Sequence, residues 1–175
     1  MKSGDPNIAI RWWRQLQPYW PDGTVNHTAD RGALARLRRD DLFAAMTEPA
    51  TLALFRDLGR GHDLPEVALC AAVLASVRKD RHEHPMRTLG PPSLNQPDDG
   101  IMKPLRFRGL ISADALDERL TALRAAIRLA GTELNVCELA AACLDWSEDR
   151  QRHWVFQFYN AGAAAPASDS MEDLQ

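Results

Sequence analysis

The chain lacks any apolar run long enough to cross a membrane as a helix. Its longest, Val67 to Val77, falls well short of the roughly 20 residues a bilayer requires. Cysteine is scarce. Cys70, Cys137 and Cys143 form neither a CxxC pair nor a paired secretory framework, which excludes a disulfide-stapled scaffold and a thiolate zinc site. They read as buried thiols in a reducing compartment. Met1 to Pro6 leads directly into polar sequence without a signal peptide, so the expected location is the cytoplasm. There is no P-loop, no GxGxxG and no GxSxG element. His82 and His84 stand as HEH before Pro85, with no helical i, i+4 histidine pair and no Cys at ligand spacing; they read as surface-loop histidines rather than metal ligands. The acidic pairs Asp40–Asp41 and Asp98–Asp99 are adjacent in turns, whereas the paired carboxylates of a glycosidase converge from separate places. They read as caps or solvated charges. Nothing in these patterns argues for an enzyme, a metal or a cofactor.

What is present is helical periodicity along nearly the whole of a 175-residue chain. That length suffices for one domain or two small ones without a disulfide staple. The first helix runs from about Asn7 to Gln17, with Ile8, Trp12 and Leu16 on one face. Asp30 caps a second, carrying Leu34 and Leu37, and Asp40–Asp41 breaks or restarts it. Thr47 is the expected cap of the next, with Leu52 and Phe55 as its apolar stripe and a stop at Gly59 to Gly61. Asp63 caps a further helix, whose buried face is Val67, Cys70, Leu74 and Val77. Beyond residue 80 the His, Pro and Gly content predicts a long irregular segment to about Gly100. A short helix around Leu105 to Leu110 follows, then a long one with Ser112 as its expected N-cap and Gly131 at its end. Asn135 and Ser147 cap the last two helices. The reading is all-α: a two-part bundle of about eight or nine helices, residues 1–80 and 103–161, joined by a Pro/Gly-rich loop at 81–102 and ending in a disordered acidic tail at 162–175.

Charge placement is the most informative pattern. Of 21 basic residues 18 are Arg, in a protein of net charge −3. Selection for bidentate phosphate contacts explains an arginine excess; so does a GC-rich genome, and the ratio alone does not separate them. Arg31, Arg36, Arg38 and Arg39 fall together without an acid between them, and Lys103, Arg106, Arg108, Arg119, Arg124 and Arg128 fall in one 26-residue stretch. On a helix at about 100° per residue, with Leu116 at zero, Arg124 and Arg128 sit near ~80° and ~120° on one flank and Arg119 near ~300° on the other. Arg124 and Arg128 are like-charge neighbours that repel by a few tenths of a kcal/mol. A polyanion would offset that repulsion, and so would local acids. Phe107, between Arg106 and Arg108, stacks on a base or belongs to the core; the core is the favoured reading. Trp12, Trp13, Trp146 and Trp154 read as core or subunit interface.

"GIMKPLRFRGLISADALDERLTALRAAIRLAG", then "NVCELAAACLDW" and "RQRHWVFQFY", resemble the C-terminal half of the small subunit of the type I-E CRISPR Cascade complex, the CasB family. "WWRQLQ" and "RGALARLRR" fit its N-terminal half. The resemblance covers about residues 8 to 160 and rests on the order of several motifs. It departs at Lys103–Pro104, where the family commonly has a Ser-containing helix start, and in the variable loop 81–100. It implies an all-α, non-catalytic, cofactor-free subunit without membrane contact. The implied partners are the guide RNA (crRNA), the target and displaced DNA strands of the R-loop, the Cascade backbone and large subunits, and a second copy of itself. By position it implies nucleic-acid-binding roles for Arg31, Arg36, Arg38, Arg39, Arg106, Arg108, Arg119, Arg124, Arg128, Arg150 and Arg152. RNA-guided effectors leave sequence reading to base pairing, so such a subunit needs only sequence-independent phosphate contacts. Two rival readings remain: a helix-turn-helix regulator using Arg31 to Arg39, although exposed Asn, Gln or Ser for base reading is missing there, and an adaptor whose arginines serve protein contacts.

Overall fold

The most apolar segment of the sequence becomes the axis of the molecule. In the computed structural model, which describes residues 6–160, helix α5 (Leu64–Ala75) is apolar on every side, and Val67 through Ala75 have no exposed surface. A helix without a polar face must be enclosed. Four helices from before it enclose it: α1 (Pro6–Leu16), α2 (Arg31–Leu37), α3 (Leu42–Thr47) and α4 (Pro49–Leu58). Two from after the Pro/Gly-rich region complete the enclosure: α8 (Leu116–Leu129) and α9 (Val136–Leu144). Ala68, Ala71, Ala72 and Ala75 let these neighbours approach closely, and each fully buried Val or Leu contributes about 1.5–3 kcal/mol. The core is continuous from Ala9 to Phe158, so the helices of both halves share it. The expected tail at 162–175 lies outside the described residues.

Local chemistry sets most helix starts. Asp30 accepts the Ala33 amide at 2.8 Å, Asp41 that of Ala44 at 2.8 Å, and Asn135 that of Glu138 at 2.9 Å. Ser147 caps α10 (Glu148–Phe158) through the Arg150 amide. Two expected caps are corrected. Thr47 does not cap α4, because its hydroxyl donates back to the Ala44 carbonyl at 2.8 Å and Glu48 stands at the cap position instead. Ser112 does not cap α8, because its hydroxyl donates back to Arg108 at the end of α7 (Pro104–Ile111), and α8 starts after Ala115. On α4 the inward residues are Thr51 and Leu54, while Leu52 is 45% exposed.

The region expected as an irregular loop is more ordered than its composition suggests. It contains α6 (Pro85–Leu89), which packs against α10 and buries Pro85, Met86 and Leu89. Just before it, strand β1 (Lys79–Asp80) pairs in parallel with β2 (Glu133–Leu134), Lys79 opposite Glu133. Neither α6 nor the strands announce themselves in the sequence, being too short for periodicity to register. At the far end the Met102 amide donates to the Leu89 carbonyl at 2.9 Å, and a side chain added at Gly90 would meet the Phe158 carbonyl oxygen at 2.1 Å. The segment is thus folded back on itself at Leu89 and Met102 and seated at Gly90 against the end of α10. Ten helices and one two-stranded sheet make up the described residues, and none of these helices is long and apolar enough to cross a membrane.

Candidate nucleic-acid interface

The candidate arginines divide into those the fold uses and those it leaves free. Arg124 turns from α8 toward the corner between α2 and α3, donating to the Leu37 carbonyl at 2.6 Å and the Asp40 carbonyl at 2.9 Å. Those carbonyls belong to the end of a short helix and the turn after it, where backbone acceptors lack intrahelical partners. Arg119 is buried. It donates to the Ala113 and Asp114 carbonyls at 3.2–3.3 Å, with its guanidinium 5.4 Å from the centre of the Trp146 ring, a cation–π distance. Burial lowers the pKa of both Arg119 and Arg124 from the ordinary arginine value. Arg38 donates to Ala75 at the end of α5 at 2.6 Å. Burial, and secondarily the Arg78 charge, lowers its pKa. Arg36 grips the buried Glu48 carboxylate through both Nε and Nη2, and that hydrogen bond raises its pKa. Arg150 lies 3.7 Å from Glu138, and Arg152 pairs with Glu148 and Asp149 one turn earlier on its own helix.

Four candidates have no side-chain partner among the described residues: Arg31, Arg106, Arg108 and Arg128, all exposed. Arg39, just past α2, is exposed too, and among the described residues its side chain bonds only the Ala35 carbonyl of that helix. Arg106 and Arg128 border one open groove between α7 and α8, brought together although 22 positions apart. Asp117 and Glu118 also border it and temper its charge. The expected Arg124–Arg128 flank is therefore divided: Arg128 faces this groove, whereas Arg124 belongs to the α2–α3 corner. Helix α2 makes a poor recognition helix, since it spans seven residues with Arg36 engaged by Glu48.

Phe107 belongs to the core. It is 2% exposed and stacks on Phe158, with ring centres 3.8 Å apart and planes within 3° of parallel. Trp12, Trp13 and Trp154 are buried as well. Sequence reasoning paired His84 with His82; the fold instead groups His84 with Glu138 and His153, whose candidate ligand atoms lie within 4.8 Å of one another. The arrangement suits a metal poorly. His84 Nδ1 accepts the Met86 amide at 3.1 Å to cap α6, which leaves the proton of the neutral ring on Nε2. A ligating histidine has the reverse arrangement, its second nitrogen donating outward. Arg150 also offsets the Glu138 charge. Burial, and then the nearby His153, Arg150 and Arg87 charges, push the His84 pKa down to about 4.

No curated protein and no solved structure matches the chain. The sequence model of the family described as CRISPR-associated protein Cse2 does match, over residues 33–159, which takes in Arg36, Arg38 and Arg39 of the first basic stretch, the whole of the second, the buried α5 and every helix from α3 to α10. The chain belongs to that family, the CasB small subunit of the type I-E CRISPR Cascade complex.

Proposed function

We propose that this protein is a non-catalytic subunit that steadies nucleic acid within the assembled Cascade complex during antiviral defence. Its exposed arginines hold phosphates of the crRNA, of the target strand and of the displaced strand. The observation that carries the reading is the pair Arg106 and Arg128, two cations on neighbouring helices that face one groove with no protein partner among the described residues. Guanidinium groups left unpaired in a protein of net charge −3 suit bidentate phosphate contacts. Arg31, Arg39 and Arg108 extend the positive surface. Local charge of this kind gives weak binding by the isolated chain and effective binding only where the assembly presents a strand to it. The partners are accordingly the backbone and large subunits and a second copy of the chain, in the cytoplasm.

The test is charge reversal at Arg106 and Arg128 in the reconstituted complex, with R-loop lifetime followed across a salt series. Shortened lifetimes with a shallower salt dependence support the role. Lifetimes equal to wild type at every salt concentration count against it.

A further inference from the structure

A second surface combines aromatic rings with positive charge, and none of the candidate arginines belongs to it. Between α1 and β1 lies a cleft of about 470 Å³, within the range of small-ligand sites. One wall is the segment that follows α1. There Tyr19 is 56% and Trp20 36% exposed, although a large aromatic ring loses hydrophobic stabilisation in water. The other wall carries Arg78 and Lys79, with Arg14 at the edge. Asp80 is the acid in this lining, and it is already engaged. One oxygen accepts the Val136 amide at 2.9 Å and the other lies 3.8 Å from Arg14. Lys79 also has Glu133 at 4.0 Å.

The aromatic wall is held in place before any ligand arrives. Tyr19 bridges Val25, the Trp20 amide donates to Thr24 at 2.9 Å, and Gly23 takes the positive φ of 85° that this turn needs. Buried Asn26 ties the segment to α1 by donating to the Gln15 and Gln17 carbonyls at 2.8 and 2.9 Å. Gln17 itself lines the cleft, is 7% exposed, and its side-chain amide nitrogen has no hydrogen-bond partner.

We propose that this cleft takes an unpaired nucleotide of a single strand. The base stacks on Trp20, and the flanking phosphates meet Arg78 and Lys79. Stacking rings beside a cationic track are how single strands are held without sequence preference. The site deepens the proposed function and rests on its premise that the protein meets single-stranded nucleic acid. It uses different residues and a different force.

The experiment uses the full chain with three labelled oligomers of equal length: oligo-dT, oligo-rU and an abasic deoxy-oligomer, which keeps the phosphates and lacks the bases. Wild type should bind the base-bearing oligomers more tightly than the abasic one. Trp20→Ala should weaken oligo-dT binding by roughly five- to 150-fold, the worth of one base stacked on an aromatic ring, and erase the preference over the abasic oligomer. Trp20→Phe should keep most of the affinity. Photocrosslinks from a 5-bromouracil oligomer should map to the segment 17–26, a readout that does not depend on a variant folding. A stronger effect with oligo-rU than with oligo-dT would identify RNA as the source, equal effects either strand, and both support the cleft. Equal binding of base-bearing and abasic oligomers by wild type overturns it, as does wild-type failure to bind any of the three. If charge reversal at Arg106 and Arg128 weakens all three oligomers while Trp20→Ala changes none, the cleft is refuted and the proposed function stands.

Discussion

The Arg124 guanidinium on α8 reaches the carbonyl of Leu37, 87 positions earlier in the chain, at 2.6 Å. A cation that the sequence offers as a phosphate ligand thereby joins the two halves of the protein. Arg124→Ala should destabilise folding by about 1–3 kcal/mol, because it strips partners from half-buried carbonyls. Arg128→Ala, exposed and unpartnered, should stay within about 0.5 kcal/mol of wild type. Urea denaturation of the two variants checks both values.

Free and engaged arginines should differ in their effect on nucleic-acid binding. Replacing Arg106 and Arg128 by Gln should reduce the slope of log affinity against log salt by about 0.7–0.9 for each phosphate that is no longer neutralised. Replacing Arg152, already paired with Glu148 and Asp149, should leave the slope unchanged. Affinities of the assembled complex at several salt concentrations measure both. A slope change at Arg152 equal to that at Arg106 would show that pairing with an acid does not withdraw an arginine from phosphate.

Two glycines make a paired stability test. A Cβ at Gly90 would lie 2.1 Å from the Phe158 carbonyl oxygen, which is backbone and has little room to yield. Gly90→Ala should cost at least about 2 kcal/mol, by overpacking and by parting the 81–102 segment from α10. At Gly109, within α7, an added Cβ meets nothing within 4 Å, and Ala there should stabilise by about 0.5–1 kcal/mol through helix propensity. Thermal melts of the two variants should move in opposite directions.

Acid should loosen the α6–α10 contact through His84. Its folded pKa is about 4 against an ordinary 6.5, so between these values the unfolded chain binds more protons than the folded one. The stability that neutral His84 supports is complete above about pH 6.5, falls as pH is lowered toward about 4, and declines no further below that. Glu138 opposes this penalty, whereas His153, Arg150 and Arg87 reinforce it. His84→Asn keeps a short acceptor for the Met86 amide and should flatten the stability–pH curve in that window. An NMR titration placing the His84 midpoint at 6 or above would contradict the argument.

Much of the helix pattern was legible because caps are local. Asp30, Asn135 and Ser147 each bond an amide three residues on, a contact contained within one turn. Ser112 and Thr47 carry the same chemistry and defeated the same logic. A hydroxyl can also bond backward to a carbonyl three or four residues earlier, and which way it turns depends on where the preceding helix runs. Helix α6 and the β1–β2 pair escaped notice for another reason. They are stabilised by partners 52 or more residues away, such as Glu133 for Arg81 and Gln157 for Arg87, not by any repeat of their own. At the candidate interface the residue types were legible, and their availability was not.

Val67 to Ala75 alone already require a helical protein built around them, since nine consecutive apolar or small residues can be stable in water only inside other helices. The family, too, was legible in the sequence, through an ordered series of motifs from WWRQLQ on α1 to RQRHWVFQFY on α10, and the family model matches residues 33–159. Which arginines remain free depends instead on how the helices pack. Carbonyls at helix ends and buried acids compete with phosphate for each guanidinium, and their positions are set by how the helices pack. That competition takes Arg36, Arg38, Arg119 and Arg124 into the fold and leaves Arg31, Arg106, Arg108 and Arg128 facing solvent.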